Sequence, residues 1–279
     1  LFSAHLGADV LYVIDLKTNK LIKMITDTPG AEGVEYVPEL NKVYTSNRGD
    51  HTISVIDMNK MEVVKKIPAI SKPDGSAYAS DFKKLYVSDE RGKMLLVIDV
   101  NKDEVVKKIV FDSETGMPQY DSISKKIYLN LQDKNIFAVI DPRTDSIIGQ
   151  YSVRDCIKNH GMALDVKNRL AFLVCENNDI MTVLNLETFK PVAYLKIASG
   201  GDVVKYDPGN KRIYVGCSSG VISVFHEDDA SHFTKLEDFS VQKKVHSLTI
   251  DVRTHRVYAP EQEEDGIAVS KMIIYDAIP

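Results

Sequence analysis

Five residues of the kinds that bind metals or move protons recur at one fixed offset in this sequence. Glu32, Asp74, His160, Asp202 and His246 each stand fifteen positions before a second set, Asn47, Asp89, Cys175, Cys217 and Glu261. Gly116 and Leu131 make a sixth pair at the same offset, and His5 opens the second set with no predecessor. Two imidazoles and three carboxylates on equivalent positions suit a divalent ion or a polar ligand. Carboxylates gathered without a cation or a donor raise one another's pKa. His160, Asp202 and His246 form a set of two imidazoles and one carboxylate, which fits zinc, manganese or iron better than all-oxygen calcium. With Glu32 as a further donor, the expected cofactor is a divalent metal ion, zinc or manganese ahead of calcium. Around such an ion Glu261, His5 and Asp74 are the candidate acid–base groups. Arg48, Arg91, Asp89, Asn47, Cys175 and Cys217 are candidates for contacting a ligand. A plain hydrated lining of polar side chains is the competing reading of the same residues.

The elements that position these residues repeat. Leu11-Tyr-Val-Ile-Asp15, Ile53-Ser-Val-Ile-Asp57, Leu95-Leu-Val-Ile-Asp99 and Phe137-Ala-Val-Ile-Asp141 are four copies of one phrase. Met181–Asn185, Ile222–His226 and Met272–Asp276 are three degenerate copies. The last residues of the seven are 42, 42, 42, 44, 41 and 50 positions apart. A period in the forties with strand-like content in every unit predicts an all-β chain, a seven-bladed β-propeller of four-stranded antiparallel blades. In one unit Gly33–Val37, Lys42–Ser46, Thr52–Asp57 and Val63–Ile67 are the strands, punctuated by Pro, Asn, Gly and Asp. The Asp closing each third strand is expected to accept backbone N–H groups in the next turn. Seven such carboxylates are scaffold.

Lys42-Val-Tyr-Thr-Ser-Asn47 and Lys84-Leu-Tyr-Val-Ser-Asp89, each followed by a Val-Ile-Asp phrase, resemble the YVTN family of β-propeller repeats. The resemblance spans essentially the whole chain and implies the propeller fold. It does not settle a function, since surface-layer, periplasmic and lactonase-like members differ in role. The first blade is expected to lack its innermost strand and the last its outermost. A short upstream segment would supply both.

The 279 residues are expected to form a single domain over 1–279. A formal net charge of -5 gives no reason to expect nucleic acid, and no apolar run reaches bilayer length. Three cysteines, Cys156, Cys175 and Cys217, are too few for a disulfide framework. Cys175 is expected to face His160 and Cys217 to face Asp202, as small buried hydrophobes ahead of thiolate ligands, and Glu261 to face His246, either orienting its imidazole or forming a surface ion pair. Arg48 and Arg91 either receive an anionic substrate or balance the carboxylates. The sequence has no Gly-x-Ser-x-Gly elbow, phosphate-cradling loop or His-Glu-x-x-His, and no Trp for stacking sugars. Two functions follow. One is a metal-dependent hydrolase of lactones, esters or phosphoesters at the mouth of the propeller channel. It resembles the calcium-dependent propeller lactonases in chemistry but not in ligand types. The other is a non-enzymatic exported propeller that binds a small molecule or protein on its top face. A monomer, periplasmic or secreted, with a small-molecule partner is the expected setting.

Overall fold

The computed structural model describes residues 1–241, 247–264 and 267–277. It is a seven-bladed β-propeller of antiparallel sheets, in which each blade is a meander of consecutive strands. Blades two to six have four strands. Blade one (Phe2–His5, Val10–Asp15, Lys20–Ile25) and blade seven (Thr249–Asp251, Arg256–Glu264, Ile267–Tyr275) have three. Blade five, which carries the site described below, runs Asn159–Asp165, Leu170–Cys175, Ile180–Asn185 and Pro191–Lys196. Among the described residues no helix is long and apolar enough to cross a membrane.

The chain divides into two compact units. One comprises Leu1–Leu129 with Ala138–Gln150, the other Asn130–Phe137 with Tyr151–Pro279. In the first, the faces of blades two and three meet over Tyr44, Ile53, Val55, Leu85, Val87 and Leu96. In the second, Phe172, Val174, Val183, Ile213, Val215 and Phe225 do the same for blades five and six. Second and third strands are buried on both sides because each blade is covered on both faces. Fourth strands alternate, as Glu62–Pro68 does, because one face meets water.

The recurring Asp is structural, as its chemistry requires. Asp15, Asp57, Asp99 and Asp141 accept the amides of Lys17, Asn59, Asn101 and Arg143 at 2.7–3.0 Å. Four positions beyond each stands a left-handed residue, Asn19, Met61, Asp103 or Asp145, which closes the hairpin. Met61, at φ 52°, donates its amide to Asp57 O at 2.7 Å. The fourth strand then pairs with a bulge at Val55/Ile56, repeated at Val97/Ile98.

The Lys-x-Tyr of the second strand latches adjacent blades together. Tyr44 donates to Asp103 in the hairpin of blade three, and Lys42 pairs with the same carboxylate at 2.6 Å. Tyr86 and Lys84 repeat the latch on Asp145 of blade four, the lysine at 2.6 Å. Burial, then the facing carboxylate, holds both phenols far above the ordinary tyrosine range. In blade five the latch is replaced by ring packing of Phe172 against Tyr206, centroids 5.3 Å apart.

Candidate metal centre

A β-bulge in the first strand aims the repeated polar residues. In blade two Ala31 pairs with Asn47 and Gly33 with Ser46, which leaves Glu32 as the extra residue. In blade three Pro73 pairs with Asp89 and Ser76 with Val87. In blade five Asn159 pairs with Cys175 and Met162 with Leu173, so His160 and Gly161 together oppose Val174. In blade six Asp202 lies between Gly201, paired with Cys217, and Val203, paired with Gly216. A bulge leaves its residue out of the ladder and turns the side chain away from the pleat. Cys175 therefore faces Asn159 rather than His160, and Cys217 faces Gly201 rather than Asp202. The sequence offset is correct, but the strand partner lies one residue earlier than expected.

The glycine after the bulge residue has a steric cause. A Cβ on Gly161 would stand 2.2 Å from Asp202 O, and one on Gly33 2.2 Å from Asp74 O. Only hydrogen fits there, so His-Gly and Glu-Gly bring neighbouring first strands together.

One backbone hydrogen bond then adds a third side chain. The residue after the second strand donates its amide to the residue two before the bulge position. Arg48 N bonds Gly30 O at 3.0 Å, Glu90 N bonds Lys72 O at 2.8 Å, Glu176 N bonds Lys158 O at 3.1 Å and Ser218 N bonds Gly200 O at 2.7 Å. Equivalent triples result: Gly30, Glu32, Arg48 in blade two; Lys72, Asp74, Glu90 in blade three; Lys158, His160, Glu176 in blade five; Gly200, Asp202, Ser218 in blade six.

In the first unit these triples neutralise themselves. Arg48 Nη1 lies 2.9 Å from Glu32 Oε1. Lys72 pairs with Glu90 and stands 4.0 Å from a carboxylate oxygen of both Glu32 and Asp74. Burial works against the Lys72 charge, but Asp74, Glu90 and Glu32 outweigh it and raise its pKa.

The second unit is different. His160 is only 7% exposed, and its Nδ1 has no hydrogen-bond partner. Nδ1 lies 3.9 Å from Glu176 Oε1 and Nε2 3.5 Å from Asp202 Oδ1. One donor atom from each of the three falls within 4.8 Å of the others. An ion takes one ring nitrogen, and bonds of about 2.0–2.2 Å would draw the three donors to roughly 3–3.5 Å of one another by side-chain rotation. Lys158 Nζ holds Glu176 Oε2 at 2.5 Å, which turns Oε1 toward the imidazole. One imidazole with two carboxylates suits manganese and zinc.

His160 and Asp202 stand close together, and Glu176 lies beside them. Sequence reading missed Glu176 and Lys158, whose signal is the charge at the positions flanking the offset pair: Arg48, Glu90 and Glu176 on one side, Lys72 and Lys158 on the other. His246 lies outside the described residues. Glu32 and Asp74 are in the other unit, each beside a cation.

Several expected ligand contacts are otherwise engaged. Cys175 is bonded to Cys156 in a disulfide, so it offers no thiolate as a ligand. Cys217 is free but fully buried, and burial pushes its thiol up to about 11, so it stays protonated at neutral pH. The Asp89 carboxylate accepts the amides of Ile70, Ser71 and Lys72 at 2.6–3.0 Å. Asn47 is buried and donates to Thr52 Oγ1 and Ser54 Oγ at 3.1 and 2.7 Å. His5 Nδ1 accepts the Ala8 amide at 3.0 Å in an exposed turn. Glu261 is buried in the second strand of blade seven, opposite Lys271. Arg91 is exposed in the turn after Asp89.

Blades, latches and bulges of this pattern define a β-propeller. The family model of the YNCE-like beta-propeller matches residues 2–125, the stretch that holds Lys42–Asn47 and Lys84–Asp89. No curated protein sequence matches the chain. Among solved structures it is similar to U3-55K, with a TM-score of 0.82, 10% identity, and coverage of 98% of this chain and 90% of that one. Kuenenia stuttgartiensis hydrazine synthase matches with a TM-score of 0.74, 16% identity, and coverage of 85% and 75%. The dihydro-heme d1 dehydrogenase NirN in complex with DHE matches at 0.75 and 14%, covering 99% of this chain and 60% of NirN. At these identities the likeness is one of fold.

Proposed function

We propose that this protein is a divalent-metal-dependent hydrolase of lactones, esters or phosphoesters, with its ion on His160, Glu176 and Asp202. The observation that carries the reading is the His160 ring, buried between two carboxylates with Nδ1 unpartnered. A buried ring nitrogen without a partner costs free energy that a ligand recovers. His160, Glu176 and Asp202 would hold such an ion, which would supply Lewis-acid polarisation of a carbonyl or phosphoryl oxygen and a more acidic water. The chain's own part is to hold the donors. Lys158 fixes Glu176, the bulge fixes His160, and Gly161 keeps Asp202 within reach. The Cys156–Cys175 disulfide supports a periplasmic or secreted setting.

A second reading is a propeller that binds a small molecule or protein without metal. It is favoured by the first unit, where the same positions are filled by ion pairs. Calorimetric titration with Mn²⁺ and Zn²⁺ decides between them. His160→Ala should weaken metal binding by roughly 100-fold or more with an unchanged circular dichroism spectrum, and a chelator should stop ester or phosphoester hydrolysis. No binding by the native chain, or equal binding by the variant, would replace the first reading with the second.

A further inference from the structure

Blade five holds the approach to its site in a way blade three does not. In blade three the connection Ile70–Lys72 is fastened non-covalently, its three amides donating to the Asp89 carboxylate. The equivalent positions in blade five are Cys156, Ile157 and Lys158 for the connection and Cys175 for the carboxylate. There a disulfide takes the place of the Asp89 cap. The displaced amides find amide side chains instead: Ile157 N donates to Asn178 Oδ1 at 3.1 Å and Lys158 N to Asn135 Oδ1 at 2.7 Å.

The substitution matters because of what flanks the two sulfurs. Cys175 immediately precedes Glu176, and Cys156 stands two residues before Lys158 and four before His160. Asp155 and Lys158 on either side are left-handed, at φ 56° and 62°. Such backbone is strained for residues other than glycine and persists only where its surroundings enforce it. No residue of Ile70–Lys72 is left-handed. Ile157 is exposed, so local opening of the connection would give a reductant access to the bond.

We propose that the Cys156–Cys175 disulfide is a redox-sensitive clamp on the metal centre, an inference that rests on the reading of His160, Glu176 and Asp202 as ligands. The oxidised chain holds Lys158 against Glu176 and so presents Glu176 Oε1 to His160. A dithiol reductant opens the clamp. One of its thiolates attacks the Cys156 sulfur, the S–S bond breaks, and Cys175 leaves as a thiolate that takes up a proton. The second thiol then displaces Cys156, which is protonated in turn. The protein gains two electrons and two protons, and the reductant ends as its own disulfide. The left-handed residues relax, and Glu176 loses its fixed orientation.

The test compares Mn²⁺ affinity in three forms of the intact chain: oxidised, reduced with dithiothreitol and desalted anaerobically, and Cys156→Ser/Cys175→Ser. Reduction and the serine pair should each weaken binding by about tenfold and speed amide hydrogen exchange at Ile157 and Lys158. Cys156→Ile/Cys175→Asp transplants the fastening of blade three. It should bind Mn²⁺ within about threefold of the oxidised chain and be indifferent to dithiothreitol. Equal affinity and equal exchange in oxidised and reduced chain would overturn the clamp while leaving the metal centre standing. Failure of the oxidised chain to bind Mn²⁺, with exchange still responding to reduction, would overturn the metal reading and with it this inference. If a variant does not fold, the oxidised and reduced native chain decide between these outcomes by themselves.

Discussion

Glu227 ends the third strand of blade six fully buried, with Oε1 accepting from Asn168 Nδ2 at 2.6 Å. Burial raises its carboxyl pKa, and the nearby Asp165 charge adds to the rise. The fold therefore favours protonated Glu227. This stabilisation is complete below the ordinary glutamate pKa and is lost as pH rises through the raised value. Glu227→Gln keeps a carbonyl for Asn168 and removes the charge. It should raise the melting temperature by roughly 2–5 °C at pH 8 and by much less at pH 4. Thermal unfolding at the two pH values checks this, and an equal gain at both would exclude the carboxyl as the cause. Nothing in the sequence marks Glu227. The position is occupied by Met58, Val100, Pro142 and Leu186 in other blades, and only the fold reveals that a carboxylate there is buried.

At the scale of elements, the latch on the second strand gives a graded prediction. Tyr86→Phe removes a hydrogen bond to a buried carboxylate that Lys84 still holds, and should cost about 1.5–3 kcal/mol. Tyr214 occupies the same place in blade six, but its hydroxyl is buried without a partner. Tyr214→Phe should be neutral or slightly stabilising, since it deletes an unsatisfied polar group. Denaturant unfolding of the two variants makes the comparison, and equal losses would show that the phenol rings rather than the hydroxyls matter. Blade number, strand content and the turn role of Asp57 and its equivalents were legible because alternation and turn chemistry are local. The bulges at Glu32 and His160 were not, because an extra residue in one strand is visible only against its partner. The Cys156–Cys175 bond was hidden for the same reason, its halves being separated by a strand and a turn.

At the scale of the molecule, the blades are interchangeable frames in which a few positions differ. Blade three has the lysine and glutamate of blade five, with Asp74 where His160 stands and Gly116 where the next blade offers Asp202. Asp74→His/Gly116→Asp should therefore add a second equivalent of bound Mn²⁺ per chain, measured by titration of the folded double variant. An unchanged stoichiometry would mean that the Arg48–Glu32 and Lys72–Glu90 pairs hold blade three closed to a cation. The bulges give this frame a property beyond any single site. Glu32, His160 and Asp202 lie outside the ladder register, so replacing one alters no strand pair and moves no apolar residue to the wrong face. Selection can thus explore chemistry at these positions at little risk to folding, and the same freedom is open to a designer. A library randomised at the bulge residues should retain far more folded members than one randomised one position earlier, at Ala31, Asn159 and Gly201, where every change is felt by a paired neighbour.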